Sequence, residues 1–310
     1  MVSRVSLVLA GFALTLVVLI LVGYLSILHR ESSQGGVLVF LLTSGFEDEI
    51  KAILAEDDVL YVARLGSDPH EIQLSPSDVD ILKRADLVIT MGHTHVDRQV
   101  EELVAKGEVK ARLLNLLKLG NLVVPELPGG VRNYHEPFYD PRNLVVIIDA
   151  VTELLKELRP DKGGLYEEKA RKVKDELARI TSAYHGLLRG YKAVITTAEI
   201  QPAIQWLGVD VVAYVVFDLG ESPTPESLEK ALRVLSEDKV VLFIAATCSG
   251  GTCTPASPLD KRFYDEALQR KIPIIVVPLA YTSGSVVWKL NYILSQVEEQ
   301  LHIGYRGATR

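Results

Sequence analysis

Four segments of this chain carry residues that bind metal ions or move protons. The first holds His70, in Ser67-Asp-Pro-His-Glu-Ile-Gln-Leu-Ser-Pro-Ser-Asp78. The second holds His93 and His95, in Met91-Gly-His-Thr-His-Val-Asp97. The third pairs His135 with Glu136, in Asn133-Tyr-His-Glu-Pro-Phe-Tyr-Asp-Pro-Arg-Asn143. The fourth is Glu199, in Thr196-Thr-Ala-Glu199. Four of the seven histidines of the chain fall in these segments. Neutral imidazole and carboxylate are natural ligands of Zn²⁺, and the same mixture suits Mn²⁺. Taken singly, each residue also has a plainer role. A lone histidine is more often a polar loop residue, which is the reading for His29, His185 and His302. His93 and His95 project to one side if their segment is extended, so either could be a ligand or a loop-stabilising donor. Glu199 begins a helix, where a carboxylate is favoured without any metal. Cys248 and Cys253 flank a Gly-Gly turn and form a disulfide candidate, with two free thiols as the rival state. A metal site built on those two alone would need partners from elsewhere.

The elements around these residues alternate. Apolar runs at 37–42, 59–63 and 86–90 read as buried parallel strands, with helical segments near 46–55, 76–85 and 95–106. Ser75 can cap the second helix, Pro76 suits its first position and Asp78 complements its dipole. The pattern resumes after residue 190. Strands are expected at 192–196, 211–216, 240–244 and 272–277, with helices near 199–207, 225–236, 259–270 and 284–301. The candidate ligands therefore follow strands, where open α/β sheets bind ligands. Between the two sets, Asp140-Pro141 opens a helix to about 158, and Pro160 breaks it. A second helix is expected over about 165–189. Its apolar residues Tyr166, Ala170, Val173, Leu177, Ile180, Tyr184 and Leu187 form one stripe at 4-3-4-3 spacing. Such a stripe fits a coiled-coil dimer. It also fits a strut nearly 40 Å long crossing two lobes.

The predicted fold class is α/β: two lobes with mainly parallel sheets joined by a long backbone helix, preceded by one N-terminal transmembrane helix. The boundaries are a membrane anchor at 1–30, a linker at 31–36, an N-terminal lobe at 37–160, the connecting helix at 161–190 and a C-terminal lobe at 191–310.

The anchor explains an odd feature of the composition. The 310-residue chain has 48% hydrophobic residues, a net charge of -7 and a mean hydropathy of +0.20. The excess sits in Val5 to Leu28, a run without a charge and long enough to span a bilayer. Its length and the lack of an Ala-x-Ala-like end argue against a cleaved signal peptide. Arg4 and the terminal amine precede the run and His29, Arg30 and Glu31 follow it, a small charge difference that favours an N-terminus inside and the bulk of the chain outside the cell. That predicts a single-pass protein of the cell membrane. No second apolar run follows, which excludes a polytopic channel. The acidic balance without a Lys/Arg block argues against nucleic acid as a partner.

Two stretches carry a resemblance. Asp68-Pro-His-Glu-Ile-Gln-Leu-Ser-Pro-Ser-Asp78 and Arg84-Ala-Asp-Leu-Val-Ile-Thr-Met-Gly92 resemble the metal-binding receptors of zinc and manganese ABC importers, solute-binding protein family 9. Phe138-Tyr-Asp-Pro-Arg-Asn143, the long helix from Tyr166 and Gly220-Glu-Ser-Pro-Thr-Pro-Glu226 extend it, over roughly 37–303. The resemblance implies one divalent metal in a cleft between lobes. His70 matches the first ligand, the pair His135 and Glu136 the second, and Glu199 the third. The fourth is normally an acid ending the last strand, but here that strand ends Ile275-Val-Val-Pro-Leu279. His93 or His95 is the expected ligand in its place. The implied function is an extracellular, membrane-tethered receptor that delivers zinc or manganese, as transported ligand, to an importer permease and ATPase. It is not an enzyme: the chain has no nucleophile elbow, P-loop or zincin motif. The alternatives are the same fold holding a ferric siderophore, haem or cobalamin, a metal-dependent hydrolase using an open coordination position, or a structural module.

Overall fold

In the computed structural model, residues 35–63 and 73–303 are described. The expected span Val5 to Leu28 and the expected ligand His70 lie outside them. Among the described residues, no helix is long and apolar enough to cross a membrane.

The alternation of apolar runs and amphipathic segments builds two sheets. The first comprises β1 (Leu38–Leu41), β2 (Val59–Val62), β3 (Leu87–Thr90) and β4 (Arg112–Asn115), in the order β2-β1-β3-β4, all parallel. Between the strands lie α1 (Glu47–Ile53), α2 (Pro76–Leu82) and α3 (His95–Ala105). The second sheet comprises β7 (Lys192–Thr197), β8 (Asp210–Val216), β9 (Val240–Ser249), β10 (Thr252–Pro255) and β11 (Ile274–Pro278). Here β8, β7, β9 and β11 are parallel neighbours. The far end of β9 folds back antiparallel onto β10, and Cys248 opposite Cys253 is joined as a disulfide. The helices of this half are α6 (Gln201–Gln205), α7 (Pro225–Val234), α8 (Pro258–Arg270) and α9 (Val286–Leu301). A small hairpin, β5 (Glu126–Leu127) with β6 (Val131–Arg132), precedes α4 (Pro141–Leu158) and α5 (Gly163–Tyr184).

Strand side chains alternate between faces. On one face of the first sheet Val39, Leu41, Leu87 and Ile89 enter a large core; on the other, Phe40, Leu42 and Val88 meet Val96 and Val100. In the second sheet Ala193, Ile195 and Phe243 join the same large core, while Val194, Leu242 and Ile244 meet Ala231, Phe263 and Ala267. One apolar core thus runs from the first sheet through Leu144, Ile147 and Leu177 to the second. Burial on both faces is why these strands read as unbroken apolar runs.

The stripe on α5 is buried within the chain. Tyr166, Ala170, Leu177 and Ile180 enter the large core, with Val173 against it. The helix ends at Tyr184 rather than near 189, because the chain turns at Gly186 with φ +74°. Leu187 leaves the helix but still packs on the core. With 22 residues, α5 is about 33 Å long. It is tied to the first half where Tyr166 Oη donates to Asp58 (2.8 Å), and to the second where Tyr184 Oη donates to Glu298 (2.7 Å). The cap signals also hold. Ser75 and Asp78 form a reciprocal capping box on α2, and the Thr224 side chain caps α7. Strands β4, β5, β6 and β10 were not expected. They are short, and two of them are two-residue bridges without a periodic signal.

Candidate metal centre

The loops after β3, β7 and β8 and the segment 133–140 meet where the two halves join. Each is built by local hydrogen bonds. After β3, the Asp97 carboxylate accepts from the backbone N–H groups of Met91, Gly92, His93 and Thr94, at 2.9–3.1 Å. Gly92 takes φ +100°, and a Cβ there would lie 2.2 Å from the Asn115 side chain. Only glycine fits that position. The loop sets the His93 ring edge-on to His135, with centroids 5.8 Å apart. His95 goes elsewhere. It opens α3, its Nε2 is 3.0 Å from Gln99 Nε2, and it lines a surface groove with Gln73, Leu74 and Glu102.

His135 is buried and held at both ring nitrogens. Asn133 supports one side. Its Nδ2 donates to Ala198 O (2.7 Å) and Gln201 Oε1 (2.8 Å), which fixes the carboxamide with Oδ1 toward His135. Gln201 is itself set by donating to Glu126 O (2.9 Å). An amide oxygen only accepts, so His135 Nδ1 carries a proton and donates to it at 2.8 Å. In the neutral ring the lone pair is then on Nε2. That nitrogen lies 2.7 Å from Asp218 Oδ1, across the junction. The Phe217 ring lies tilted against the imidazole, 4.8 Å between centroids.

Glu136 is buried and adopts φ +40°, uncommon for a residue with a side chain. Its carbonyl accepts from Tyr139 N (2.8 Å), starting the turn Pro137–Tyr139. Tyr139 is fully buried and donates to Pro278 O (2.6 Å), and burial pushes its pKa well up. Glu199 is also buried, in the helical turn Ala198–Ile200 just after β7. Its Oε1 accepts from Leu219 N (2.6 Å), so it braces the loop that carries Asp218. Glu221 braces the same loop by accepting from Phe217 N (3.2 Å) and Asp218 N (3.1 Å).

The end of β11 offers no carboxylate. Pro278 O receives Tyr139, and Ala280 O receives the buried Lys289 ammonium (2.5 Å), which also donates to Gly45 O (3.1 Å). Burial pulls the Lys289 pKa down to about 8, against the nearby carboxylates of Glu47, Glu49 and Glu136.

Of the expected ligands, His93, His135 and Glu199 border one junction, Glu136 adjoins it along the chain, and His95 stands apart. Among the described residues, no three His, Cys, Asp or Glu side chains are grouped to hold a metal ion. Asn133 and Asp218 were missed from the sequence. Asn133 has the signal that it lies two residues before His135. Asp218 has only its place just after a strand.

The sequence profile of the ZnuA family, zinc-uptake complex component A, periplasmic, matches residues 46–252. The chain belongs to this family. ZnuA-family proteins are solute-binding proteins, not enzymes. A comparison with curated protein sequences returns no match. The fold of this ZnuA-family chain resembles the periplasmic zinc-binding protein TroA of Treponema pallidum, at 16% identity and a TM-score of 0.66, covering 86% of this chain and 99% of that one. It also resembles a Mn-bound periplasmic metal-binding protein of Candidatus Liberibacter asiaticus, at 15% identity, TM-score 0.63 and the same coverage. Zn(II)-bound AdcA of Streptococcus pneumoniae matches at 15% identity and TM-score 0.64, over 86% of this chain and 58% of that one.

Proposed function

We propose that this protein is a receptor that captures one Zn²⁺ or Mn²⁺ ion at the junction of its two halves and hands it to an ABC importer. The observation that carries the reading is the His135 imidazole. Asn133 holds Nδ1, so the ligating nitrogen, Nε2, faces the opposite half of the molecule. A hydrogen bond on the second ring nitrogen is the usual support of a metal-ligating histidine. His70 and Glu199 complete the proposed set, and His135 rather than Glu136 takes the second position. Glu136 is instead the turn residue that sets the ring's approach. Val5 to Leu28 tethers the receptor beside its permease, outside the cell. Family membership and the likeness to zinc- and manganese-loaded receptors support this reading.

Titration of ZnCl₂ and MnCl₂ into the full chain in detergent tests it. One ion per chain is expected to bind, and His135→Ala should abolish binding. A wild-type chain that binds neither ion below millimolar concentration would sink the proposal.

A further inference from the structure

We propose that Asp218, on the loop after β8, supplies a carboxylate ligand to the bound divalent cation. This rests on the receptor reading above and names a donor for it. The end of the last strand gives carbonyls to Tyr139 and Lys289 and offers no acid, whereas the loop after β8 carries Asp218 facing His135.

Three observations converge on Asp218. The first is the donor pair. With Nδ1–H given to Asn133, Nε2 is the ring nitrogen that faces the second half, 2.7 Å from Asp218 Oδ1. An imidazole nitrogen and a carboxylate oxygen are both natural ligands of Zn²⁺ and Mn²⁺. The second is distance. Zn–N and Zn–O bonds of about 2.0–2.2 Å at a tetrahedral angle put the two donor atoms roughly 3.4 Å apart. The gap has to widen by only about 0.7 Å, within reach of a small turn of the Asp218 side chain. The third is rigidity. Glu221 holds the Asp218 backbone N–H, and Glu199 holds Leu219 N, so the loop is braced on both sides of the ligand. Asp218 is partly exposed (31% of its side chain), which leaves an approach for the ion, while His135 behind it is buried.

The sequence offers His93 or His95 for this role, and of the two only His93 adjoins His135. The His93 ring meets His135 edge-on, 5.8 Å between centroids, and both residues precede α4 in the chain. A ligand from Asp218 instead joins the two halves through the ion.

The test compares Asp218→Asn, Asp218→Glu and His93→Ala with the wild-type full chain, by competitive titration of ZnCl₂ and MnCl₂. Thermal melting of the metal-free variants shows which remain folded. Removing a residue that merely supports a ligand costs about 10–100-fold in affinity. Loss of Asp218 as a direct ligand should therefore cost about 100-fold or more. Asp218→Glu should recover part of it, and His93→Ala should change affinity less than Asp218→Asn. X-ray absorption at the zinc edge should show one oxygen donor fewer in Asp218→Asn. If the wild type binds and folded Asp218→Asn binds equally well, Asp218 is not a ligand and the receptor reading survives. A large loss in His93→Ala with none in Asp218→Asn would likewise overturn the assignment. Absence of wild-type binding would overturn the receptor reading itself.

Discussion

The Asn133 carboxamide oxygen accepts the Nδ1–H of His135 at 2.8 Å, while its nitrogen is held by Ala198 O and Gln201. One residue thus fixes the tautomer of the histidine and fastens its segment to the second half. Asn133→Ala is expected to lower Zn²⁺ affinity by about 10–100-fold, the usual cost of losing such a support. Asn133→Asp, which keeps the acceptor, should lose less. Equal affinity for wild type and Asn133→Ala would remove Asn133 from the site.

The strut α5 gives a second prediction. Leu177 is fully buried at its centre. Leu177→Ala should destabilise the chain by about 2–5 kcal/mol through lost burial and the cavity left behind. The melting temperature should fall without a change of oligomeric state, since the stripe packs inside the chain. A shift from dimer to monomer in sedimentation would show that the stripe pairs two chains instead.

A third concerns pH. Glu49 on α1 accepts from Val287 N at the start of α9 (3.2 Å), and burial pushes its pKa up to about 7 from 4.5. Among the described residues, its other oxygen has no hydrogen-bond partner. The charged groups acting on it are Lys289 on α9 and Asp48 on its own helix. A raised carboxyl pKa favours the folded state fully below the unfolded value of 4.5, and this contribution is lost as pH rises through about 7. Lys289 works the other way. Its pKa is depressed to about 8 from 10.5, so its contribution is full above 10.5 and lost as pH falls through about 8. Stability from this pair is therefore lowest between about 7 and 8. Calorimetry from pH 4.5 to 7.5 should show a steeper fall in melting temperature for wild type than for Glu49→Gln. Parallel curves would refute the assignment.

The sequence by itself determined most of the strands and helices. Period-two burial on both faces made the strands of the two sheets read as apolar runs. Ser75 with Pro76, and Thr224 with Pro225, marked helix starts because those caps act within one turn. The 4-3-4-3 stripe located α5, but not its end, which the turn at Gly186 sets. It could not tell a strut from a coiled coil either, since a stripe shows that a face is buried and not by what. Tertiary structure decided the pairings. His135 and Asp218 are 83 positions apart in sequence. No local pattern connects them, because their approach is set by how the segment after β6 docks against the second sheet. His93 and His95 look equivalent in the sequence. The capped start of α3 turns one toward His135 and the other into a separate groove, since a helix directs side chains by its own geometry and not by their chemistry.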